Sequence, residues 1–199
     1  MHDFPIWLPR ARRRPSPNCA PRPASTAVEL VVLHNISLPP GKFGGDLVEA
    51  LFCNTLDCSV DPRLSDLAGV EVSAHLFIER SGRLTQFVPF DHCAWHAGVS
   101  SFRGKSGCNT YSIGIELEGT DTQPYTAKQY RRLSSTLRWL LRNYPRLAID
   151  RIVGHNEIAA GRKTDPGASF DWQRALTALL PGRPRGDTRD EIREGAGSP

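Results

Sequence analysis

The segment His155-Asn156-Glu157-Ile158-Ala159-Ala160-Gly161-Arg162-Lys163-Thr164-Asp165-Pro166-Gly167 brings a His, a Lys and an Asp into one irregular stretch. Far upstream, Val31-Val32-Leu33-His34-Asn35 ends an apolar run in a second His. Two imidazoles and one carboxylate are the ligand set of an open catalytic zinc site, which keeps its fourth position for water. His34, His155 and Asp165 together therefore point to a metal-dependent hydrolase. Taken singly, each has a plainer reading: a His at a strand end is usually a hydrogen-bonded structural residue, and Asp-Pro-Gly is a common turn. Convergence raises the odds, because sheets of this kind place their sites at the carboxyl ends of strands.

Other residues compete. His92 and His96 are spaced as a rival ligand pair, although a helix there is doubtful before the Gly- and Ser-containing stretch that follows. Glu116 is the leading acid/base candidate. It sits mid-strand among apolar neighbours, and burial would raise its pKa toward the range of a general base. A structural ion pair with a nearby arginine is the plainer reading of Glu116; Glu118 shares its face and is the internal rival, but it lies nearer the strand end. Lys163, two residues before Asp165, could face a developing oxyanion if Asp165 is a ligand.

The elements that must hold these residues are legible from periodicity. Residues 28–34 form a nearly continuous apolar, β-branched run, as in a central strand buried on both faces. Residues 72–80 and 83–89 read as two strands around a tight Ser81-Gly82 turn, which forces antiparallel pairing. In 111–119, Ile113, Ile115 and Leu117 alternate with Gly114, Glu116 and Glu118, so the two sets face opposite ways. Residues 126–144 predict the clearest helix, with Thr126 and Gln129 as a capping box and Tyr130, Leu133, Leu137, Leu140, Leu141 and Tyr144 as its apolar face. A short helix is expected over 46–53, a strand at 152–153 delivering His155, and a second amphipathic helix over 170–180. The loop 38–45 contains Gly41-Lys42 but lacks the Ser/Thr and the upstream Gly of a phosphate loop. Strands and helices mixed without strict alternation predict a mixed α/β class: a single domain with a central mixed sheet flanked by helices. Residues 1–26 read as an N-terminal arm over the domain, 27–182 as the domain, and 183–199 as a disordered tail with nothing to bury.

Bulk properties narrow the class. With 199 residues, 39% hydrophobic and 23% charged, the chain suits one soluble domain with a real core. A net charge of +4 is too small, and its basic residues too scattered, to argue for nucleic acid. Five cysteines without a Cys-x-x-Cys pair exclude a thiolate zinc ribbon and fit a reducing compartment. The arginines near the N-terminus are followed by no apolar h-region, and no stretch approaches the ~18 apolar residues of a span. The expectation is a cytoplasmic protein without membrane contact.

The motifs 33–41, Val72-Ser73-Ala74-His75, Ala94-Trp95-His96-Ala97-Gly98-Val99-Ser100, 112–120 and 162–167 are long, ordered and collinear. Together, from about residue 7 to 172, the chain resembles the AmpD family of 1,6-anhydro-N-acetylmuramoyl-L-alanine amidases, within the fold of zinc amidases and peptidoglycan recognition proteins. That resemblance implies one zinc ion per chain on His34, His155 and Asp165, catalytic roles for Glu116 and Lys163, and substrate contacts at Asn35, Trp95 and Arg162. His75 and His96 match family positions without a ligand role. The implied substrate is a small soluble muropeptide, cut between N-acetylmuramic acid and L-alanine by a monomer during cytoplasmic cell-wall recycling. The alternatives are a non-catalytic peptidoglycan-fragment binder, whose mark would be a lost ligand, and a regulatory module docking through the arginine-rich arm. Because 184–199 offers almost nothing to bury, its deletion is expected to leave turnover and melting temperature nearly unchanged. A large drop in either would show that the tail docks.

Overall fold

The computed structural model describes residues 6–180; the tail at 183–199 lies outside them. In chain order the elements are β1 (Arg12–Arg13), β2 (Cys19–Pro21), β3 (Leu30–Ile36), α1 (Leu47–Phe52), β4 (Leu76–Ile78), β5 (Leu84–Gln86), β6 (His92–Ala94), β7 (Ser101–Phe102), β8 (Lys105–Ser106), β9 (Ser112–Glu118), α2 (Ala127–Asn143), β10 (Ile152–Gly154), α3 (His155–Ile158) and α4 (Trp172–Thr177). Six strands form the main sheet in the order β1-β5-β4-β9-β3-β10. Its pairs are parallel except β4 with β5, so the expected mixed sheet is what forms. Two further pairs, β2 with β6 and β7 with β8, stand apart from it.

Alternation in β3 and β9 decides which face is which. Val31 and Leu33 of β3, with Ile113, Ile115 and Leu117 of β9, pack under Leu133, Leu137 and Leu140 of α2. Each of those three leucines is fully buried, and burying one is worth about 1.5–3 kcal/mol. The opposite pleats carry His34 on β3 and Glu116 on β9. On that second face α1 closes part of the sheet, with Leu51 and Phe52 against Phe77 and Phe87. The remainder, beyond the carboxyl ends of β3 and β9, stays open.

Helix α2 starts where the capping box places it. Thr126 Oγ1 accepts from Gln129 N at 3.1 Å, and Gln129 Oε1 accepts from Thr126 N at 3.0 Å. The Gln129 amide also donates to the Glu118 carbonyl at 2.9 Å and the Ile78 carbonyl at 3.3 Å. One buried side chain thus ties the helix start to the ends of β4 and β9.

Several elements are shorter than their apolar patterns suggest. The strand expected over 72–80 narrows to β4, because Ser73 N turns away to the Trp95 carbonyl. The strand expected over 83–89 narrows to β5. Between them the turn takes in Glu79 to Arg83, with Gly82 N on the Glu79 carbonyl and Gly82 at φ +81°, where a glycine meets no steric cost. The helix expected over 170–180 begins only at Trp172, since the Asp171 side chain accepts from Arg174 N and acts as the N-cap. It loosens after Thr177 into i→i−3 bonds at Leu179 and Leu180. The 1–26 segment does more than lie over the domain: Arg12–Arg13 pairs with β5 as a sheet strand, and Arg12 and Arg14 both reach Glu49 on α1.

Gln129→Met keeps the volume but strands two carbonyls and one N–H. The expected cost is about 1–3 kcal/mol, read as a lower urea midpoint at unchanged m-value; an unchanged midpoint would show that the tie is not used.

Candidate active site

Three pieces of local structure converge on the open end of the sheet. β3 delivers His34, which lies opposite Glu116 of β9 in the parallel register. β10 ends at Gly154 and passes at once into α3, whose first residue is His155. A Glu157 carboxylate oxygen accepts from Gly154 N at 2.9 Å and fixes that junction. The loop after α3 folds back so that the Asp165 carbonyl accepts from Asn156 N at 3.0 Å, while Arg162 N and Lys163 N both bond to the Ala159 carbonyl. Asp165 is thereby returned to the residue beside His155.

The result is a triangle of donor atoms. His34 Nδ1, His155 Nδ1 and Asp165 Oδ2 lie 3.0 Å from one another on every side. Both imidazoles are buried, and the carboxylate is only slightly exposed. Among the described residues, this is the group of three side chains whose ligand atoms lie close enough to share a metal ion. The chemistry of the set fits zinc: two borderline nitrogens and one hard oxygen, with no thiolate closing the site. The far ring nitrogens are already engaged, His155 Nε2 with the Ala97 carbonyl at 3.2 Å and His34 Nε2 with His96 Nδ1 at 2.9 Å. The near nitrogens can therefore face a cation.

Electrostatics agree with that use. Burial drives the His34 pKa down to about 4, against the pull of Asp165, so the ring is neutral at pH 7 as a ligand must be. Burial also works against the Asp165 charge, yet the contacts from His155 and His34 prevail and hold its pKa well below the ordinary carboxylate range. Glu116 goes the other way. Burial first, and the Asp165 charge second, raise its pKa well above 4.5, opposed by Lys163. Its Oε2 atom is fully buried and has no hydrogen-bond partner. An orphaned carboxylate oxygen is costly in a folded interior unless chemistry uses it.

A groove of about 790 Å³ runs over this end of the sheet, and all eight residues singled out from the sequence line it: His34, Asn35, Trp95, Glu116, His155, Arg162, Lys163 and Asp165. Their surroundings differ. Asn35 projects from the other pleat of β3, and its amide donates to Asp121 at 2.8 Å. Arg162 Nη2 donates to the Ala97 carbonyl at 3.0 Å and the Val99 carbonyl at 2.6 Å, so this guanidinium anchors the 97–99 loop. Trp95 offers part of the groove wall. The rival pair does not form: the His92 ring sits half-exposed on Asp91, whereas His96 is turned inward onto His34. Glu118, the rival to Glu116, is a structural anchor, its carboxylate accepting from Gly44 N and Arg80 N. Sequence reasoning missed the contact of His96 with His34, and it missed Asp121.

A carboxyl whose pKa is higher in the folded chain than in the unfolded one binds a proton on folding. Its contribution is fully present below its ordinary value of 4.5 and is lost as pH rises through the folded value. In metal-free protein, Glu116→Gln is therefore expected to match the parent at acid pH and to become progressively more stable than it toward neutrality. Parallel urea midpoints across that range would contradict the assigned burial of this carboxylate.

Comparison with known proteins identifies the family. Residues 24–168 match the Amidase_2 family, described as N-acetylmuramoyl-L-alanine amidase. The chain is 53% identical over 175 residues to the 1,6-anhydro-N-acetylmuramyl-L-alanine amidase AmpD of Salmonella typhimurium (strain SL1344), covering 87% of this chain and 93% of that protein. The crystal structure of a Se-Met AmpD derivative superposes with a TM-score of 0.84 at 50% identity, covering 87% of this chain and 97% of the other. AmiD from E. coli, solved with the substrate anhydro-N-acetylmuramic acid-L-Ala-D-gamma-Glu-L-Lys, matches at TM-score 0.58 and 26% identity, covering 82% of this chain and 63% of that one. With fold and sequence in agreement, the chain belongs to the N-acetylmuramoyl-L-alanine amidase family, on its AmpD branch.

Proposed function

We propose that this chain, holding one zinc ion, hydrolyses the amide between 1,6-anhydro-N-acetylmuramic acid and the L-alanine of a stem peptide. It acts as a monomer on small soluble turnover fragments in the cytoplasm. The observation that carries the reading is the His34, His155 and Asp165 triangle beside an orphaned Glu116 carboxylate. High identity to AmpD proteins supports the substrate class, as does the anhydromuramyl peptide bound by AmiD. No helix among the described residues is long and apolar enough to cross a membrane.

Amides resist hydrolysis because water is a weak nucleophile and the nitrogen leaves poorly. Bound to His34, His155 and Asp165, zinc would supply Lewis acidity, lowering the pKa of water to about 7 and polarising the carbonyl. Glu116 receives the proton of the attacking water. A carboxylate of ordinary pKa is too weak a base for that work; burial strengthens it. The proton then passes from Glu116 to the departing amide nitrogen, so the same residue serves as base and acid. Lys163, on the groove side of the loop, presents its ammonium to the oxyanion as charge develops there.

Substrate placement follows from the walls. Trp95 gives a flat apolar surface against which a compact bicyclic sugar, or the start of the peptide, packs. Asn35 is held by Asp121 and presents an amide edge to the peptide's polar groups. Arg162 is anchored through Nη2 and faces the groove as a fixed cation for a carboxylate.

Metal analysis is expected to give one zinc per chain, with activity lost on chelation and regained on zinc return. Glu116→Ala is expected to keep its zinc and lose about 10²–10⁴-fold in turnover, and Lys163→Ala to lose about 10²–10³-fold. Loss of metal or of fold in either variant would reassign that residue to a structural part. For the substrate, kcat/KM is compared on anhydro and reducing-end muropeptides of the same stem, with Trp95→Ala alongside. The anhydro form is expected to be much faster, and equal rates would leave a general amidase.

A further inference from the structure

The geometry points to His96 as the positioning residue that fixes the metal-facing tautomer of His34, at the centre of a relay running Ser112–His96–His34. This rests on the zinc reading above.

His34 is 1% exposed, and its two ring nitrogens face different worlds. Nδ1 looks into the donor triangle; Nε2 lies 2.9 Å from His96 Nδ1. A nitrogen that offers its lone pair to a cation cannot carry the proton, so His34 must be protonated on Nε2 and must donate there. His96 Nδ1 must then accept, which leaves its own proton on Nε2. That proton meets Ser112 Oγ at 3.1 Å. One requirement at the metal face therefore dictates the proton position on both rings. The opposite order, with the Ser112 hydroxyl donating to His96, puts a proton on His34 Nδ1 and closes the face.

The fold has built a seat for this ring. Ser112, Gly114 and Glu116 lie on the same pleat of β9, and a Cβ at position 114 would stand 2.5 Å from His96 Cγ. Any side chain there would evict the ring. From the other side, Asn109 Oδ1 accepts from His96 N at 3.1 Å and Ala97 N at 2.8 Å, fixing the backbone from which the ring projects. The next carbonyl, of Ala97, takes His155 Nε2. A single dipeptide thus orients both imidazoles, one through a side chain and one through a peptide oxygen.

The choice of imidazole as acceptor has a reason. Metal-bound histidines often donate to a carboxylate. A carboxylate in this place would add a third negative group beside Asp165 and Glu116 and offset the cation's positive charge. A neutral ring accepts the same hydrogen bond without that charge.

The test uses the full chain and zinc itself as probe. Zinc affinity is measured by competition with a chromophoric chelator for the parent, His96→Leu and His96→Asn, with metal-free melting curves to establish folding. Leu cannot accept a hydrogen bond; an Asn carbonyl sits near the place of Nδ1 and can. His96→Leu is expected to bind zinc about 10–100-fold more weakly, and His96→Asn to recover most of that loss. Long-range ¹⁵N–¹H NMR of the zinc-loaded parent is expected to show His96 protonated on Nε2 and bare on Nδ1; this readout decides the matter should His96→Leu fail to fold. A folded His96→Leu that binds zinc like the parent, an Asn variant no better than Leu, or a proton on His96 Nδ1 would each overturn the assignment. A parent that takes up no zinc would instead overturn the reading on which it rests.

Discussion

Parallel pairing of β3 with β9 sets His34 and Glu116 side by side on one pleat, and the remainder of the site is arranged around that register. A slip of β3 by one residue against β9 would turn His34 into the layer under α2, bring Leu33 out to the groove and part His34 from Glu116. What prevents it is the apolar set on the other pleat. Val31, Leu33, Ile113, Ile115 and Leu117 are all essentially buried against the helix. The catalytic face therefore inherits its precision from packing on the face that does no chemistry. Gln129 adds a second constraint, since its amide grips the carbonyl at the end of β9 two residues beyond Glu116.

Burial opposes the charge of two neighbouring carboxyls alike, yet they shift in opposite directions. Asp165 has two imidazole nitrogens at 3.0 Å and stays ionised. Glu116 has no such partner on Oε2, feels the Asp165 charge, and is pushed toward its neutral form. A ligand needs permanent charge and a proton carrier needs a poised one. Here the difference comes from which hydrogen bonds each residue receives, since both sit in the same groove.

What could be read from the sequence was set by how local each signal is. The capping box at Thr126 and Gln129 and the apolar stripe from Tyr130 to Tyr144 are contained within one helix, and α2 begins where they place it. Alternation in β9 likewise told which residues share a pleat. The start of β4 was not legible because it depends on a distant partner, the Trp95 carbonyl, which draws Ser73 away; the start of α4 is set locally, two residues later than the apolar pattern suggested, by the Asp171 side chain accepting from Arg174 N. The gathering of eight residues into one groove was legible through motif spacing and family likeness. The pairing of His34 with His96 spans 62 positions and leaves only a bare glycine on a neighbouring strand as its trace.

The termini of the main sheet carry one further consequence. Its outermost strands, β1 and β10, are two and three residues long. An unpaired strand border is a template on which another chain can add itself, and short borders give such an intruder little to hold. On the β1 side the strand is Arg12–Arg13, with Arg10 and Arg14 close by in sequence, and Arg12 and Arg14 are held on the Glu49 carboxylate of α1. A border this short, charged and tied down to α1 is a poor template for such addition, so the sheet keeps an open catalytic end while its edges offer little.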